Sequence, residues 1–266
     1  MDAAAKGQLN QSAAEVYEEF FVPALFADWA APVCAAAGLK PGDAVLDVAC
    51  GTGVLARAAW AGVGPQGRVV GLDCNDGMLE VAARGAAPIE WRLAQAEALP
   101  YDADSFDAVV SQFGLMFFED RVAALKELLR GLRPGGRLAV AVWGRIEDTP
   151  GYAAMLALLQ RLFGDDAANA LRAPFALGEI DALRALFGKA GWRDAKVETK
   201  NGTARFPSIE SWVHTDVKGW TLADLIDEAG YEKLQREAKT ALADFVQADG
   251  GVRFAHPAHI VTAVKA

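Results

Sequence analysis

The chain has 266 residues, 53% of them apolar and 23% charged, which fits one large domain with a sizeable core and excludes a disordered or fibrous chain. Its 26 basic and 35 acidic side chains leave a net charge of −9, so no broad cationic surface is expected and nucleic acid is excluded as the main partner. No run reaches the ~18 consecutive apolar residues of a membrane span, and MDAAAKGQLNQ at the start lacks the apolar stretch of a secretory signal. Cys34, Cys50 and Cys74 are too few and too scattered for a disulfide framework or a zinc site. A cytoplasmic location with reduced thiols is the expectation.

Disorder is expected in the first ten or so residues only. Residues 12–37 predict two helical segments separated near Pro23, and they carry Tyr17, Phe20, Phe21, Phe26 and Trp29, which must pack on something. AVLDVA at 44–49 reads as a buried first strand, followed by glycine-rich CGTG and a helix over 54–61. RVVGLD at 68–73 is the second strand, a helix starts at Asp76, and IEWRLA at 89–94 and FDAVVS at 106–111 are the third and fourth strands. A helix over 119–132 runs into GLRPGGRLAVAVW, where Pro134, Gly135 and Gly136 are expected to turn the chain into a fifth strand ending near Trp143. This alternation is that of a parallel sheet covered by helices.

The second half predicts helices at 150–163, 179–190, 208–217 and 221–248, with β-like segments at 192–206 and 258–265, and Asn201-Gly202 as a hairpin turn or a bulge. Because HIVTAVK at 259–265 still reads as a strand of the main sheet, residues 1–266 are expected to form a single domain. Its parts are N-terminal helices over 1–40, a ligand-binding core over 41–144, helical insertions at 145–190 and 207–250, and a closing strand at 258–266. Insertions at strand ends shape substrate pockets.

Chemistry concentrates at the carboxyl ends of the first strands, where an open α/β sheet has its crevice. Gly51 and Gly53 permit a tight turn and a close backbone approach to a ligand. GTGVLA also satisfies a loose dinucleotide fingerprint. Asp73, 22 residues beyond Gly51, is placed either to accept hydrogen bonds from both hydroxyls of a ribose or to cap a helix. Asp47 stands inside the first strand, where a dinucleotide site would continue with apolar residues, and a carboxylate there suits a cationic ligand.

VLDVACGTG, GLDCNDGMLEVAA, AQAEALPYDADSFDAVVSQFGLMFFED and LRPGGRLAVAVW, in that order, resemble the successive motifs of class I S-adenosylmethionine-dependent methyltransferases over about residues 12–144. The likeness is strongest to the type-11 branch containing the ubiquinone and menaquinone C-methyltransferases. It implies an α/β, Rossmann-like seven-stranded sheet in the order 3-2-1-4-5-7-6, the last strand antiparallel, with helical cap insertions. It further implies that Asp47, Ala49, Cys50, Gly51 and Gly53 surround the methionine part of S-adenosyl-L-methionine and that Asp73 holds the ribose. Cys74 and Met78 would flank the adenine, with Gln95, Ala96 and Glu97 on its other face and edge; Gln95 stands where many relatives have Asp. Gln112 and Phe113 would lie beside the sulfonium, Tyr17 would close over the methionine moiety, and Met116 replaces a frequent histidine.

The implied reaction is in-line methyl transfer to a small-molecule acceptor, leaving S-adenosyl-L-homocysteine and driven mainly by placement. Trp143, Arg145, Trp212 and His214 are the expected acceptor-side residues, and His214, between Trp212 and Trp220, is the candidate base. His256 and His259, on either side of Pro257, are expected to be structural, and Cys50 and Cys74 to be apolar lining. The Trp-rich insertions suggest a hydrophobic or aromatic acceptor. Two other readings share these residues: a nicotinamide-dependent oxidoreductase, and a non-catalytic S-adenosylmethionine-binding partner protein.

Overall fold

The computed structural model describes residues 11–218, 222 and 224–266; the first ten residues and Trp220 lie outside the described residues. The apolar runs become strands β1 (Ala44–Val48), β2 (Arg68–Asp73), β3 (Glu90–Leu93), β4 (Phe106–Gln112) and β5 (Leu132–Trp143), all parallel to their neighbours. β1 and β4 are buried on both faces because helices cover both, as parallel strands require. β6 (Lys196–Lys200) forms the far edge, and a late strand, Ala258–Val264, inserts antiparallel between β5 and β6. Counting only the strands of this seven-stranded sheet, the order is 3-2-1-4-5-7-6, the α/β arrangement the motifs imply.

A second, two-stranded sheet joins β7 (Thr203–Phe206) to β8 (Val252–Ala255), which makes the closing strand β9. Asn201-Gly202 is therefore neither a hairpin turn nor a bulge; it is where the chain leaves the large sheet for the small one. The crossing is tight: a Cβ on Gly202 would stand 2.3 Å from the Trp29 ring and 2.7 Å from the His256 carbonyl oxygen.

The N-terminal helices also differ from expectation. α1 (Gln11–Val16), a π-helical stretch Tyr17–Phe26 and α2 (Ala27–Ala36) form one continuous run, with Pro23 inside it. The wider i→i+5 turn, seen where the Ala27 N–H reaches the Val22 carbonyl, tolerates a proline that would break an α-helix. Among the described residues this is the one helix of 18 or more residues apolar enough to cross a membrane, over Ala13–Ala36. Here its apolar side is buried in the core through Phe21, Val22, Leu25, Phe26, Trp29 and Val33.

α2 packs with α3 (Val54–Val63) against β1, β2, β4 and β5; α4 (Asp76–Ala82) covers β2 and β3. α5 (Arg121–Gly131) packs on β4 and β5 beside a later helix, Ile180–Lys189, that also touches β6. RPGG follows α5 as a bulge at the foot of β5: Phe106 pairs with Leu132 but Ala108 with Arg137. The Gly135 N–H and Gly136 carbonyl bond Lys265, so the end of β9 clasps the bulge. The insertions contribute α6 (Pro150–Phe163), α7 (Asp165–Arg172), α8 (Ile180–Lys189), α9 (Ile209–Lys218) and α10 (Glu228–Ala241). α10 begins where Asp227 caps the Gly230 N–H, later than the helix expected from residue 221, and α7 was not expected.

One tryptophan locks β2 to the glycine turn. Cβ atoms added at Gly71 and Gly53 would lie 2.3 and 2.5 Å from the Trp91 ring, and the one at Gly71 also 3.1 Å from Cys50 Sγ. Gly71→Ala is expected to lower stability by about 1–3 kcal/mol through overpacking, read as a lower denaturant midpoint. Adding Trp91→Leu should return part of the loss; equal midpoints for Gly71→Ala and the native chain would refute the crowding.

Candidate functional site

β1 ends by carrying Asp47 into the sheet's crevice fully buried, and neither of its carboxylate oxygens has a hydrogen-bond partner. Burial, reinforced by the charge of Asp73, raises its pKa well above the ordinary carboxylate range. Asp73, at the end of β2, is held more firmly. Its Oδ2 accepts from the Gly51 N–H at 2.8 Å and its Oδ1 from the Asn75 N–H at 2.9 Å. Burial raises its pKa, and those amides with that of Cys74 oppose the rise. Asp73 is not the helix cap; Asn75 is, accepting from the Met78 N–H. With three amides on four acceptor positions, Asp73 still has capacity to accept from a ligand hydroxyl.

The turn between the strands is built for close approach. Gly51 and Gly53 have φ of +55° and +90°, and the Tyr17 ring lies over Gly51, 3.8 Å from where a Cβ would be. Burial and then the charge of Asp73 push the Tyr17 hydroxyl far up, so it stays neutral. Ala49 and Phe113, after β1 and β4, both have φ of +57°, a strained conformation for residues with a Cβ. Cys50 is buried with its Sγ toward the Gly51 carbonyl. Among the described residues no cationic side chain forms an ion pair with Asp47 or Asp73; Arg57, on α3, is taken by Glu18 at 3.0 Å and the Thr52 carbonyl at 2.6 Å.

Beyond Asp73 a cleft of about 510 Å³ opens between Cys74, Gln95, Ala96, Glu97 and Phe117. Burial and Asp73 push the Cys74 thiol up to about 11. Glu97 is held by the amides of Glu119 and Asp120. Met78 does not border this cleft; it packs with Ala14 and Val81 against Tyr17. Gln112 donates to the Phe26 carbonyl at 3.1 Å and leaves its own buried oxygen unpartnered.

Phe117 also borders a second cavity, again of about 510 Å³, walled by Phe26, Phe113, Trp143, Tyr152 and Phe175. Phe113 stacks on Trp143 at 3.5 Å, and Trp143 on His256 at 3.9 Å. Burial lowers the His256 pKa to about 3, and its Nε2 has no partner. The other charged-type residue on this wall is Asp216, whose Oδ1 accepts from the Tyr152 hydroxyl at 3.2 Å and whose pKa burial raises to about 7.

Of the expected acceptor-side residues, only Trp143 lines this cavity. Arg145 is exposed and pairs with Glu179 and Glu147. Trp212 is fully buried against Phe206 and Phe254. His214 borders neither cavity: its Nδ1 meets the Tyr231 hydroxyl at 3.3 Å and its ring meets Phe20. The histidine in the cavity is His256, which sequence reasoning assigned to structure; His259, bonded to Thr199 and the Gly178 carbonyl, does have such a place.

Residues 23–163 match the ubiE/COQ5 methyltransferase family. The chain belongs to that family. A demethylmenaquinone methyltransferase of Staphylococcus carnosus is 33% identical over 188 residues, which are 65% of this chain and 78% of that protein. A ubiquinone/menaquinone biosynthesis C-methyltransferase of Ectopseudomonas mendocina is 44% identical over 109 residues, 39% of this chain and 43% of that one. The chain thus spans less than half the length of the latter relative. Among solved structures, the YcgJ protein of Bacillus subtilis aligns with a TM-score of 0.59 at 21% identity, over 90% of this chain and 98% of that one. A phosphoethanolamine N-methyltransferase of Haemonchus contortus in complex with S-adenosyl-L-methionine aligns at 0.59 and 19% identity, over 96% of this chain and 57% of that one. Both share the fold.

This ubiE/COQ5 family member is an S-adenosylmethionine-dependent methyltransferase, and its residues fit that cofactor. An orphaned buried carboxylate at Asp47 suits the cofactor's positive charge, and Asp73 suits its ribose. Asp73→Ala is expected to weaken S-adenosylhomocysteine by at least the ~1.5–3 kcal/mol of a charged hydrogen bond, measured by calorimetry; unchanged affinity would remove the ribose assignment. Asp47 bears on stability as well as binding. With its folded pKa raised, its stabilising effect is complete below the unfolded value and is lost as pH rises through the folded one. Asp47→Asn should therefore raise the melting temperature of the free protein at neutral pH while weakening S-adenosylhomocysteine about tenfold or more, ~1.4 kcal/mol. A variant that melts lower and binds normally would contradict both halves.

Proposed function

We propose that this methyltransferase acts on a small, apolar, aromatic acceptor of the quinol type, held in the cavity walled by Phe26, Phe113, Trp143 and Phe175, and methylates it on a ring carbon. The observation that carries this reading is the meeting of that aromatic cavity with the cofactor cleft at Phe117. The names of the two quinone-pathway relatives support the acceptor class.

S-adenosylmethionine, when bound, supplies an electrophilic methyl group on a sulfonium. Asp73 would hold its ribose, Asp47 would face its cationic end, and Gln95, Ala96 and Glu97 would border its adenine. The aromatic walls of the second cavity exclude water and fix the plane of a flat acceptor between Phe113 and Phe175. Placement of this kind is worth up to ~7–11 kcal/mol of a barrier when the reacting atoms are held in line, and a dry site keeps the nucleophile unsolvated. The three unpaired thiols fit a cytoplasmic setting for the reaction.

Incubation with methyl-labelled S-adenosylmethionine and a panel of reduced naphthoquinones and benzoquinones, simple phenols and amines should label the quinols. Label confined to amines would overturn the acceptor class.

A further inference from the structure

The aromatic cavity contains two deeply buried polar side chains that have unmet hydrogen-bonding capacity. Asp216 is 4% exposed and His256 1%. Asp216 comes from α9, and Tyr152 of α6 fixes its Oδ1 from across the cavity. Its Oδ2 is buried and makes no hydrogen bond of normal geometry, and the indole N–H of Trp212, one turn earlier on α9, lies close enough to oppose the rise in its pKa without completing such a bond. No ion pair with Asp216 forms among the described residues. Apart from Tyr152, the remaining wall is apolar or aromatic. A carboxylate oxygen in such surroundings carries a full desolvation cost unless an occupant donates to it.

We propose that Asp216, oriented by Tyr152, is the residue that selects a hydroxyl-bearing acceptor, by taking a hydrogen bond from the acceptor's O–H at Oδ2 in the cavity that His256 also lines. This rests on the reading of the aromatic cavity as the acceptor site. An acceptor whose hydroxyl is capped by a methyl group leaves Oδ2 unpartnered in a dry wall, and sites built to bond a hydroxyl reject analogues that lack one far more strongly than apolar pockets reject a missing methylene.

The titration of the site supplies a signature. Among the described residues, the groups acting on Asp216 are Tyr152 from α6 and Trp212 from its own helix, and His256, from the link between β8 and β9, lines the same cavity. The Tyr152 hydroxyl is pushed well up and His256 down to about 3, so both stay neutral around pH 7 while Asp216, at about 7, changes charge. An ionised carboxylate is the stronger acceptor, so the preference for a hydroxyl must grow as pH rises through neutrality.

Equilibrium dialysis of the full chain against 1-naphthol and 1-methoxynaphthalene tests this. The native protein should hold 1-naphthol at least about tenfold more tightly at pH 8, with a smaller ratio at pH 6. Asp216→Asn, which keeps the shape, should bind both probes with a ratio that is reduced and flat with pH, and Tyr152→Phe should reduce the ratio in part. Equal affinities in the native chain, or an unchanged pH-dependent ratio in Asp216→Asn, would mean that Oδ2 is turned to Trp212, and the assignment falls while the cavity reading stands. Binding of neither probe, or binding that survives filling the cavity by Ala170→Phe, would remove the cavity reading and this assignment with it.

Discussion

Two carboxylates end adjacent parallel strands in a crevice where, among the described residues, no cation pairs with them, and the local design follows from the need to hold them there. Burial makes both Asp47 and Asp73 harder to ionise, and the charge of Asp73 adds to the effect on Asp47. Asp73 is tolerable because the backbone amides of Gly51 and Asn75 point at it. That in turn requires the chain after β1 to fold back at Gly51, so the glycine turn and the β2 carboxylate are one device. Asp47 has far less support: the Ala56 amide opposes the rise in its pKa, but no hydrogen bond of normal geometry reaches either oxygen. A group that destabilises the free protein at neutral pH and would be relieved by a cationic ligand marks a place where stability is given up for binding.

The aromatic cavity follows a different rule, since its two ionisable groups are driven toward neutrality from opposite sides. His256, held down at about 3 from the ordinary 6.5, contributes stability that is present above 6.5 and lost as pH falls toward 3. Asp216, raised to about 7 from 3.8, contributes stability that is complete below 3.8 and lost as pH rises through 7. Between 3.8 and 6.5 the two trends oppose each other, and the cavity wall carries almost no net charge. Above 7 the only new charge is that of Asp216, which makes the wall a better partner for a donor.

The core was legible because its signals are local. AVLDVA, RVVGLD and FDAVVS are short β-rich runs at α/β spacing, and Asp47, Gly51 and Asp73 lie close together in sequence as well as in space. The wall of the aromatic cavity was not legible, because Tyr152, Asp216 and His256 come from three distant segments that only the fold brings together. Even so, α9 held a usable clue. On a helix, positions two apart face different ways and positions four apart share a face. Trp212 is fully buried, so its inward partner is Asp216, one turn on, whereas His214 is directed to Tyr231. Proximity to tryptophans in the sequence pointed to His214, which borders neither cavity. Asn201-Gly202 failed for a related reason: the pair looks like a turn, and only the presence of a second sheet shows that it is a crossing.

The N-terminal run explains how one helix serves both halves of the site. Tyr17 belongs over the glycine turn and Phe26 in the acceptor wall, nine positions later. In an α-helix of about 3.6 residues per turn, nine positions are about two and a half turns, which puts the rings on opposite sides. With i→i+5 bonding the turn is wider, nine positions come to about two turns, and the rings share a side. They do: Tyr17 and Phe26 stack at 5.1 Å with 22° between their planes, and Phe26 continues to Phe113 and Trp143. Pro23 fits the same geometry, since its missing N–H falls within a stretch that has already left α-helical pairing. The proline that marks a helix boundary in the sequence thus sits inside the wide turn that lets a single element cover the glycine turn and close the aromatic cavity.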